Sequence, residues 1–184
     1  MRKEIKYFES TKENHTLTTF SLALKRAEET EIKKIVLAST TGRTALQAMD
    51  YFAGKDITLV VIPHQNGFSS DENLFPEETK VRLREAGHQV HIGTMLFHTD
   101  RLYGSTIPMV IANFLRCFCE GVKVCVEITL MAADGGCLNA GEEVIAIAGT
   151  ACNADTALVM QAATTRHLEH LKINEILCKP LNRM

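Results

Sequence analysis

Apolar and polar positions alternate along the chain in blocks that predict strands and helices in turn. Short runs that are almost wholly apolar predict buried strands at 33–39, 56–63, 88–93, 143–149 and 156–162. Helical spacing of apolar residues, or typical helix-start and helix-stop residues, predicts helices at 15–30, 43–54, 76–87, 105–119 and 122–133. The tail LKINEILCKPL, 171–181, predicts a closing strand or an edge strand.

The order of these elements indicates the fold class. Continuous apolar strands that alternate with helices are typical of a mostly parallel sheet with helices on both faces. The loop from Thr150 to Asp155 is too short for a parallel crossover, so strand 156–162 is predicted to run antiparallel to strand 143–149. The last two helices are predicted to join at Gly121. The sequence therefore predicts one α/β domain over 1–184.

Composition and charge exclude several classes of partner. The chain has 184 residues, a formal net charge of −2 and no basic block, which argues against nucleic acid or an anionic membrane as the main partner. No apolar run reaches the roughly 18 residues of a membrane span. The N-terminus MRKEIKYFES has no apolar segment of a secretory signal, so we expect a cytoplasmic protein. Apolar helices such as 105–119 could serve as core or as a homo-oligomer face.

Cysteine and histidine spacing indicates no metal centre. The six cysteines form no C-x-x-C pair, so we expect reduced thiols without a metal. His167 and His170 have no third ligand nearby in the pattern, and a surface role is expected for them. His98, Arg101 and Tyr103 lie in the long loop 94–104, where ligand contact and a solvent-exposed position are both open.

The stretch VLASTTGRTALQAM, 36–49, is the first candidate for chemistry. A predicted strand ends in Ser39, Thr40 and Thr41, then Gly42, and a predicted helix begins at Arg43 and Thr44. A helix N-terminus presents unpaired N–H groups and partial positive charge, which suits a phosphate. The alternative is an ordinary strand-to-helix turn, because Ser, Thr and Gly are common there. Neither the P-loop pattern nor the dinucleotide-binding glycine pattern is present.

Further candidates lie where other strands end and on the acidic helix. His64 directly follows Pro63, and Gly67 and Phe68 in HQNGF could shape a wall of the same pocket. Glu127 lies among apolar residues, where a carboxylate must be paired, hydrogen-bonded or protonated. It is interpreted either as a pocket residue or as a structural ion-pair partner. Asp134, two helical turns later, is interpreted as a second pocket residue or as part of the helix-ending turn.

Several segments together resemble a known family. They are YFE (7–9), ASTTGRTA (38–45), HQNGF (64–68), GVKVCVEITLMAADGG (121–136) and AGTACNADTALV (148–159). The chain resembles the pyruvate kinase C-terminal domain, and more closely the stand-alone proteins with that fold. The resemblance is to this domain alone, so it does not imply pyruvate kinase activity.

The resemblance implies both a fold and a ligand site. The fold is a three-layer α/β/α arrangement with a mixed, mostly parallel five-stranded sheet in which one strand is antiparallel. The phosphate loop would be Ser39, Thr40, Thr41, Gly42 and Thr44. A second loop would contribute Gly149 and Thr150, with Asp155 and Thr156 less firmly matched. The resemblance also implies that the pocket can hold flavin mononucleotide (FMN), and a flavin ring would suit the aromatic neighbour Phe68.

Three functional hypotheses remain open from the sequence. The first is a protein that binds a phosphorylated small molecule, with FMN as the leading ligand. The second is a non-flavin enzyme that acts on a phosphorylated metabolite and uses Glu127 or His64 for proton transfer. The third is a module that senses a sugar phosphate and works through assembly with another chain.

Overall fold

The computed structural model describes residues 3–68, 74–150 and 153–181. Its strands are β1 (Lys6–Phe8), β2 (Lys34–Ala38), β3 (Thr58–Ile62), β4 (Gln89–Val90), β5 (Glu143–Ala148), β6 (Thr156–Gln161) and β7 (Lys172–Pro180). Its helices are α1 (Thr16–Thr30), α2 (Arg43–Tyr51), α3 (Glu77–Glu85), α4 (Asp100–Tyr103), α5 (Ile107–Arg116) and α6 (Glu120–Asp134). Two short 3₁₀ segments lie at Leu96–His98 and Thr165–His170.

The strands form one mixed sheet in the order β1-β7-β6-β5-β2-β3-β4. Strand β6 runs antiparallel to both of its neighbours, and all other described pairs are parallel. The α/β class, the mostly parallel sheet and the single antiparallel strand are therefore confirmed. The count of five strands is wrong, because the described residues form seven.

The two unexpected features of the sheet are at its β1 end. The tail forms β7, which lies between β6 and β1 and is an interior strand of the sheet. Strand β1 has only three residues, too few to show an alternating pattern, and it pairs Lys6 with Cys178 and Phe8 with Pro180.

Alternate residues of the central strands pack on opposite faces of the sheet. Ile35 and Leu37 of β2 belong to an apolar cluster with α1 and α2, whereas Val36 belongs to a second cluster with α6. Since side chains alternate across a strand, one apolar run supplies both layers. This gives the three-layer arrangement that was predicted.

The connection between α5 and α6 differs from the prediction. It runs through Cys117 to Cys119, and Gly121 lies in the first turn of α6. A side chain at Gly121 would overlap Thr156 of β6, so glycine lets the helix lie against the sheet there. The Cys119 thiol caps α6 by accepting the Val122 N–H at 3.4 Å.

Three of the cysteines lie in the core of the domain. Cys119, Cys125 and Cys178 are buried, and burial raises the pKa of the Cys178 thiol to about 12. Cys152 lies outside the described residues.

Helix α5 leaves large apolar side chains exposed, among them Ile107, Val110 and Phe114, so self-association stays a prediction. Within the described ranges, no helix has the length and apolar character needed to span a bilayer.

Candidate functional site

A cleft opens where β2, β3 and β5 end, and it has two connected parts. The outer chamber has a volume of about 610 Å³. It is lined by Ala38, Ser39, Thr40, Thr41, Arg43, Thr44, His64, Glu120, Val124, Ala148, Gly149, Asn153 and Ala154. The inner chamber has a volume of about 230 Å³. It shares Ala38, Ser39, Thr40, His64, Glu120 and Val124, and adds Ile62, Pro63, Phe68, Met95, His98, Arg116, Lys123, Glu127, Ile128 and Met131.

The loop 39–44 joins β2 to α2 along the outer chamber. Gly42 precedes the helix with a φ of 84°, a left-handed conformation that favours glycine. A Cβ on Gly42 would lie 3.0 Å from Thr79 Cγ2, so α3 packs closely against this turn. The requirement for glycine here is therefore both conformational and steric.

Ser39 and Thr40 are held so that their hydroxyl groups can still donate. Ser39 Oγ accepts the Ala45 N–H at 3.2 Å, which satisfies one N–H of the first helical turn and leaves the hydroxyl proton of Ser39 for another acceptor. Thr40 Oγ1 lies 3.2 Å from His64 Nε2. His64 Nδ1 is buried and has no hydrogen-bond partner among the described residues. A proton on Nε2 avoids burying an unpaired N–H, and Thr40 then accepts from His64 and keeps its own proton to donate.

The second loop is fixed by a buried carboxylate. Asp155 Oδ2 accepts the Thr150 N–H at 3.0 Å, and Asp155 Oδ1 accepts the Thr156 hydroxyl at 2.7 Å. A Cβ on Gly149 would overlap the Asn153 carbonyl oxygen, so the chain folds back tightly on itself. Asp155 thus holds the loop in shape, and Gly149 lines the outer chamber, whereas Thr150 lines neither chamber.

The inner chamber contains a buried ion pair on α6. Lys123 and Glu127 are each only 2% exposed, and Lys123 Nζ lies 2.6 Å from Glu127 Oε2. Glu127 Oε1 accepts the Phe97 N–H at 2.9 Å, which ties α6 to the 3₁₀ segment at 96–98. Lys123 Nζ also lies 3.1 Å from His98 Nε2. Because both oxygens of Glu127 are bonded, this carboxylate is a structural partner as well as a chamber wall.

Both histidines of the inner chamber are held neutral near pH 7. Burial lowers the pKa of His64, and the charge of Lys123 lowers it further while Glu127 opposes the shift. Burial and Lys123 likewise lower the pKa of His98. The Phe68 ring lies edge-on between them, with ring centroids 4.9 Å from His64 and 4.9 Å from His98. The chamber thus combines two neutral imidazoles, one aromatic ring and one compensated ion pair.

The structure brings most of the predicted residues together. The loop 39–44, His64, Phe68, Glu127 and Gly149 all meet at the cleft, although Gly42 itself is buried behind the lining. Gly67 is exposed and does not line either chamber.

The remaining candidates lie away from the cleft. Arg101 and Tyr103 are exposed on α4 and line neither chamber. Asp134 accepts the Thr165 N–H and hydroxyl at the end of α6, which agrees with its interpretation as a helix-ending residue.

Lys123 and the pair Arg116–Glu120 were missed by sequence reasoning. Arg116 Nε lies 2.6 Å from Glu120 Oε2 at the chamber wall. The available signal for Lys123 was its position four residues before Glu127 in an otherwise apolar helix, a spacing that places the two side chains on one face.

His167 and His170 lie on the surface as expected, but their surroundings differ from the prediction. Glu169 Oε1 lies 3.5 Å from His167 Nδ1 and 3.5 Å from His170 Nε2, so a third potential metal ligand is nearby and the contrary expectation is wrong. All three residues are exposed.

A family comparison decides what kind of domain carries this cleft. The family described as "Pyruvate kinase, alpha/beta domain" matches residues 18–160, more than three quarters of the chain. The chain belongs to the pyruvate kinase α/β domain family. The matched range includes β2 to β6 except the last residue of β6, whereas β1 and β7 lie outside it. The five strands implied by the resemblance therefore correspond to the range that the family covers.

Solved structures of pyruvate kinase are similar over part of their length. A pyruvate kinase from Cryptosporidium parvum is 17% identical, with 79% of this chain and 22% of that enzyme covered at a TM-score of 0.40. The Cryptosporidium parvum enzyme in complex with ADP is 16% identical, with 79% and 23% covered at a TM-score of 0.40. This member of the family thus spans less than a quarter of the length of those enzymes.

Proposed function

We propose that this domain binds a phosphorylated small molecule with its phosphate at the loop 39–44. The observation that carries the proposal is the N-terminus of α2 at the wall of the outer chamber, with the Ser39 and Thr40 side chains beside it. Backbone N–H groups at a helix start and nearby hydroxyls are the donors that bind phosphate in many proteins. Arg43 adds positive charge to the same wall.

FMN is the ligand that we propose first. Its phosphate would occupy the outer chamber, and its ring system would extend toward the inner chamber. Support comes from the apolar and aromatic walls there, including Phe68, Met95 and Met131. Flat ring systems gain affinity from such walls, because binding removes apolar surface of both the ring and the wall from water.

The test is a direct binding measurement with matched ligands and variants. Purified protein is scanned for flavin absorption and titrated with FMN, riboflavin and inorganic phosphate by calorimetry. FMN is expected to bind at least tenfold more tightly than riboflavin, since only FMN carries the phosphate. Thr44→Ala should weaken phosphate and FMN binding by about two- to tenfold. Thr18→Ala, on the exposed face of α1, is the matched control and should change neither.

The outcomes separate the two parts of the proposal. Binding of inorganic phosphate without FMN would retain the phosphate site and reject the flavin. Absence of binding by both ligands, with no change of melting temperature, would reject the proposed function.

A non-flavin enzyme is the second candidate, and the geometry favours His64 over Glu127 as its proton acceptor. Glu127 is committed to Lys123 and to the Phe97 N–H. His64 has a lowered pKa and lies beside Thr40 at the junction of the chambers. It can accept a proton there in the tautomer with its hydrogen on Nδ1, which leaves the Nε2 lone pair facing Thr40. Colourless protein that is stabilised by sugar phosphates, and that turns one of them over, would support this candidate. A sensing module would bind sugar phosphates in the same way without turnover.

A further inference from the structure

The Lys123 ammonium is buried with an incomplete set of acceptors. An ammonium has three N–H donors and no lone pair. Two of them point to Glu127 Oε2 at 2.6 Å and His98 Nε2 at 3.1 Å. No other hydrogen-bond acceptor for Nζ lies among the described residues of the chain. The Phe97 ring centroid, 5.7 Å away, attracts the cation but supplies no lone pair.

The contact with His98 fixes the state of that histidine. Because Lys123 can only donate, His98 Nε2 must accept, and its proton therefore lies on Nδ1. His98 is then neutral and does not compete for an acceptor near Lys123. Since Lys123 lines the inner chamber, its third N–H is left for an acceptor that enters that chamber.

The charges around Lys123 favour a neutral acceptor for its third N–H over an anionic one. Glu127 already neutralises the ammonium, and Arg116 is neutralised by Glu120 on the same wall. His64 and His98 add no charge when neutral. A second carboxylate in this chamber would be buried close to Glu127 and would be repelled by it. A neutral carbonyl oxygen offers the missing lone pair without that repulsion.

We propose that Lys123 donates its third N–H to a neutral carbonyl oxygen on the phosphorylated ligand. This inference rests on the proposed function, and it adds a specific requirement to it. The ligand class is a phosphate monoester that carries a ketone, amide or imide carbonyl, with the phosphate in the outer chamber and the carbonyl in the inner one. Lys123 is then the residue that distinguishes such ligands from phosphates that lack a carbonyl.

The experiment compares four probes on two proteins by calorimetry. The probes are FMN, dihydroxyacetone phosphate, glycerol 1-phosphate and inorganic phosphate. The proteins are the wild type and the double variant Lys123→Met/Glu127→Gln, in which the charged pair is removed together and the amide that replaces the carboxylate can still accept the Phe97 N–H. In the wild type, at least one carbonyl-bearing probe is expected to bind tenfold or more tightly than both glycerol 1-phosphate, which lacks the carbonyl, and inorganic phosphate. In the double variant that gain should fall by tenfold or more, while the affinity for inorganic phosphate is unchanged.

Different binding results would overturn the proposed function and the role of Lys123. If no probe binds the wild type, the proposed function fails and this inference fails with it. If phosphate binds but no carbonyl-bearing probe gains affinity, or if the gain persists in the double variant, the proposed function stands and the role of Lys123 is overturned.

A spectroscopic measurement on the wild type keeps the inference testable if the double variant does not fold. Isotope-edited infrared spectra of the tightest carbonyl-bearing probe are recorded free in water and bound. A charge-assisted hydrogen bond from Lys123 should lower the carbonyl stretching frequency below its value in water. A frequency that rises on binding would show that the carbonyl has entered an apolar setting without a donor, and it would overturn the proposal.

Discussion

The outer and inner chambers share one cleft, but their polar groups are organised in opposite ways. In the outer chamber most of the hydroxyl groups come from one continuous stretch, 39–44, at the start of α2. The inner chamber combines β3, the 3₁₀ segment at 96–98 and α6, and its central charges are almost wholly buried. Polar groups near water can be arranged by one local turn, because water satisfies those that lack a protein partner. Buried polar groups are stable only when each has a partner in the protein or the ligand.

The largest expected effect comes from breaking the pair in the inner chamber. Lys123→Met alone should lower the free energy of unfolding by about 3–5 kcal/mol, because it leaves the Glu127 carboxylate buried without its cation. The double variant Lys123→Met/Glu127→Gln should lose much less. Chemical denaturation of both variants checks this. Equal losses in the two would contradict the view that pairing, rather than packing, dominates here.

Among changes in the outer chamber, a substitution of Gly42 should have the largest effect on stability and on phosphate affinity. Gly42→Ala adds a methyl group 3.0 Å from Thr79 Cγ2 at a φ of 84° and should cost about 1–3 kcal/mol of stability. Gly54→Ala is the matched control, since Gly54 has a φ of 73° with no atom within 4 Å of the added methyl. We expect Gly42→Ala, and not Gly54→Ala, to weaken binding of inorganic phosphate. Equal behaviour of the two variants would argue against a steric role for Thr79.

Acidification should destabilise the protein through the two half-buried histidines of the cleft. Burial lowers the pKa of His64 and His98 below the ordinary value of 6.5. The unfolded chain then binds more protons than the folded chain below about pH 6.5, so stability falls as the pH falls through and below that value. Thermal melts from pH 7.5 to 5.5 measure the slope, and His64→Gln should reduce it. If the slope is the same in His64→Gln, His64 does not cause the pH dependence of stability.

A smaller effect is expected when the Ser39 hydroxyl, which accepts an N–H of the first turn of α2, is removed. Ser39→Ala deletes the acceptor of the Ala45 N–H and should cost about 1 kcal/mol. It should also weaken phosphate binding, because one hydroxyl donor is lost. Denaturation and calorimetry on the same sample measure both quantities. Retention of full phosphate affinity would mean that Ser39 serves only as a helix cap.

The smallest expected effect lies at the wall that the chambers share. Glu120→Gln removes a negative charge from both chambers and releases Arg116. Stability should change by less than about 1 kcal/mol, because the pair is partly exposed. Phosphate affinity should rise a few-fold at low salt, and this gain should shrink in salt because screening weakens exposed charges. Weaker phosphate binding in this variant would show that Glu120 organises the site instead of opposing the anion.

The loop and the sheet differ in how much of them could be predicted from the sequence. The strand–turn–helix at 33–54 follows from a short apolar run, a glycine and a helical pattern, and the structure contains each of these elements in place. The antiparallel direction of β6 followed from a loop too short for a crossover. The tail could not be placed in the same way, because its place in the strand order depends on pairing with segments far away in the chain.

Local sequence determined most of the helices and strands and the phosphate-loop hypothesis, since each rests on residues within about one turn or one strand of each other. The order of those elements along the chain then indicated the fold class. Tertiary structure alone decided that His98 would accept from Lys123 and that the Phe97 N–H would donate to Glu127. Those two contacts join residues 25 and 30 positions apart. Their partners are set by how α6 packs on the sheet, and periodicity along one segment does not specify which side chains meet across that packing.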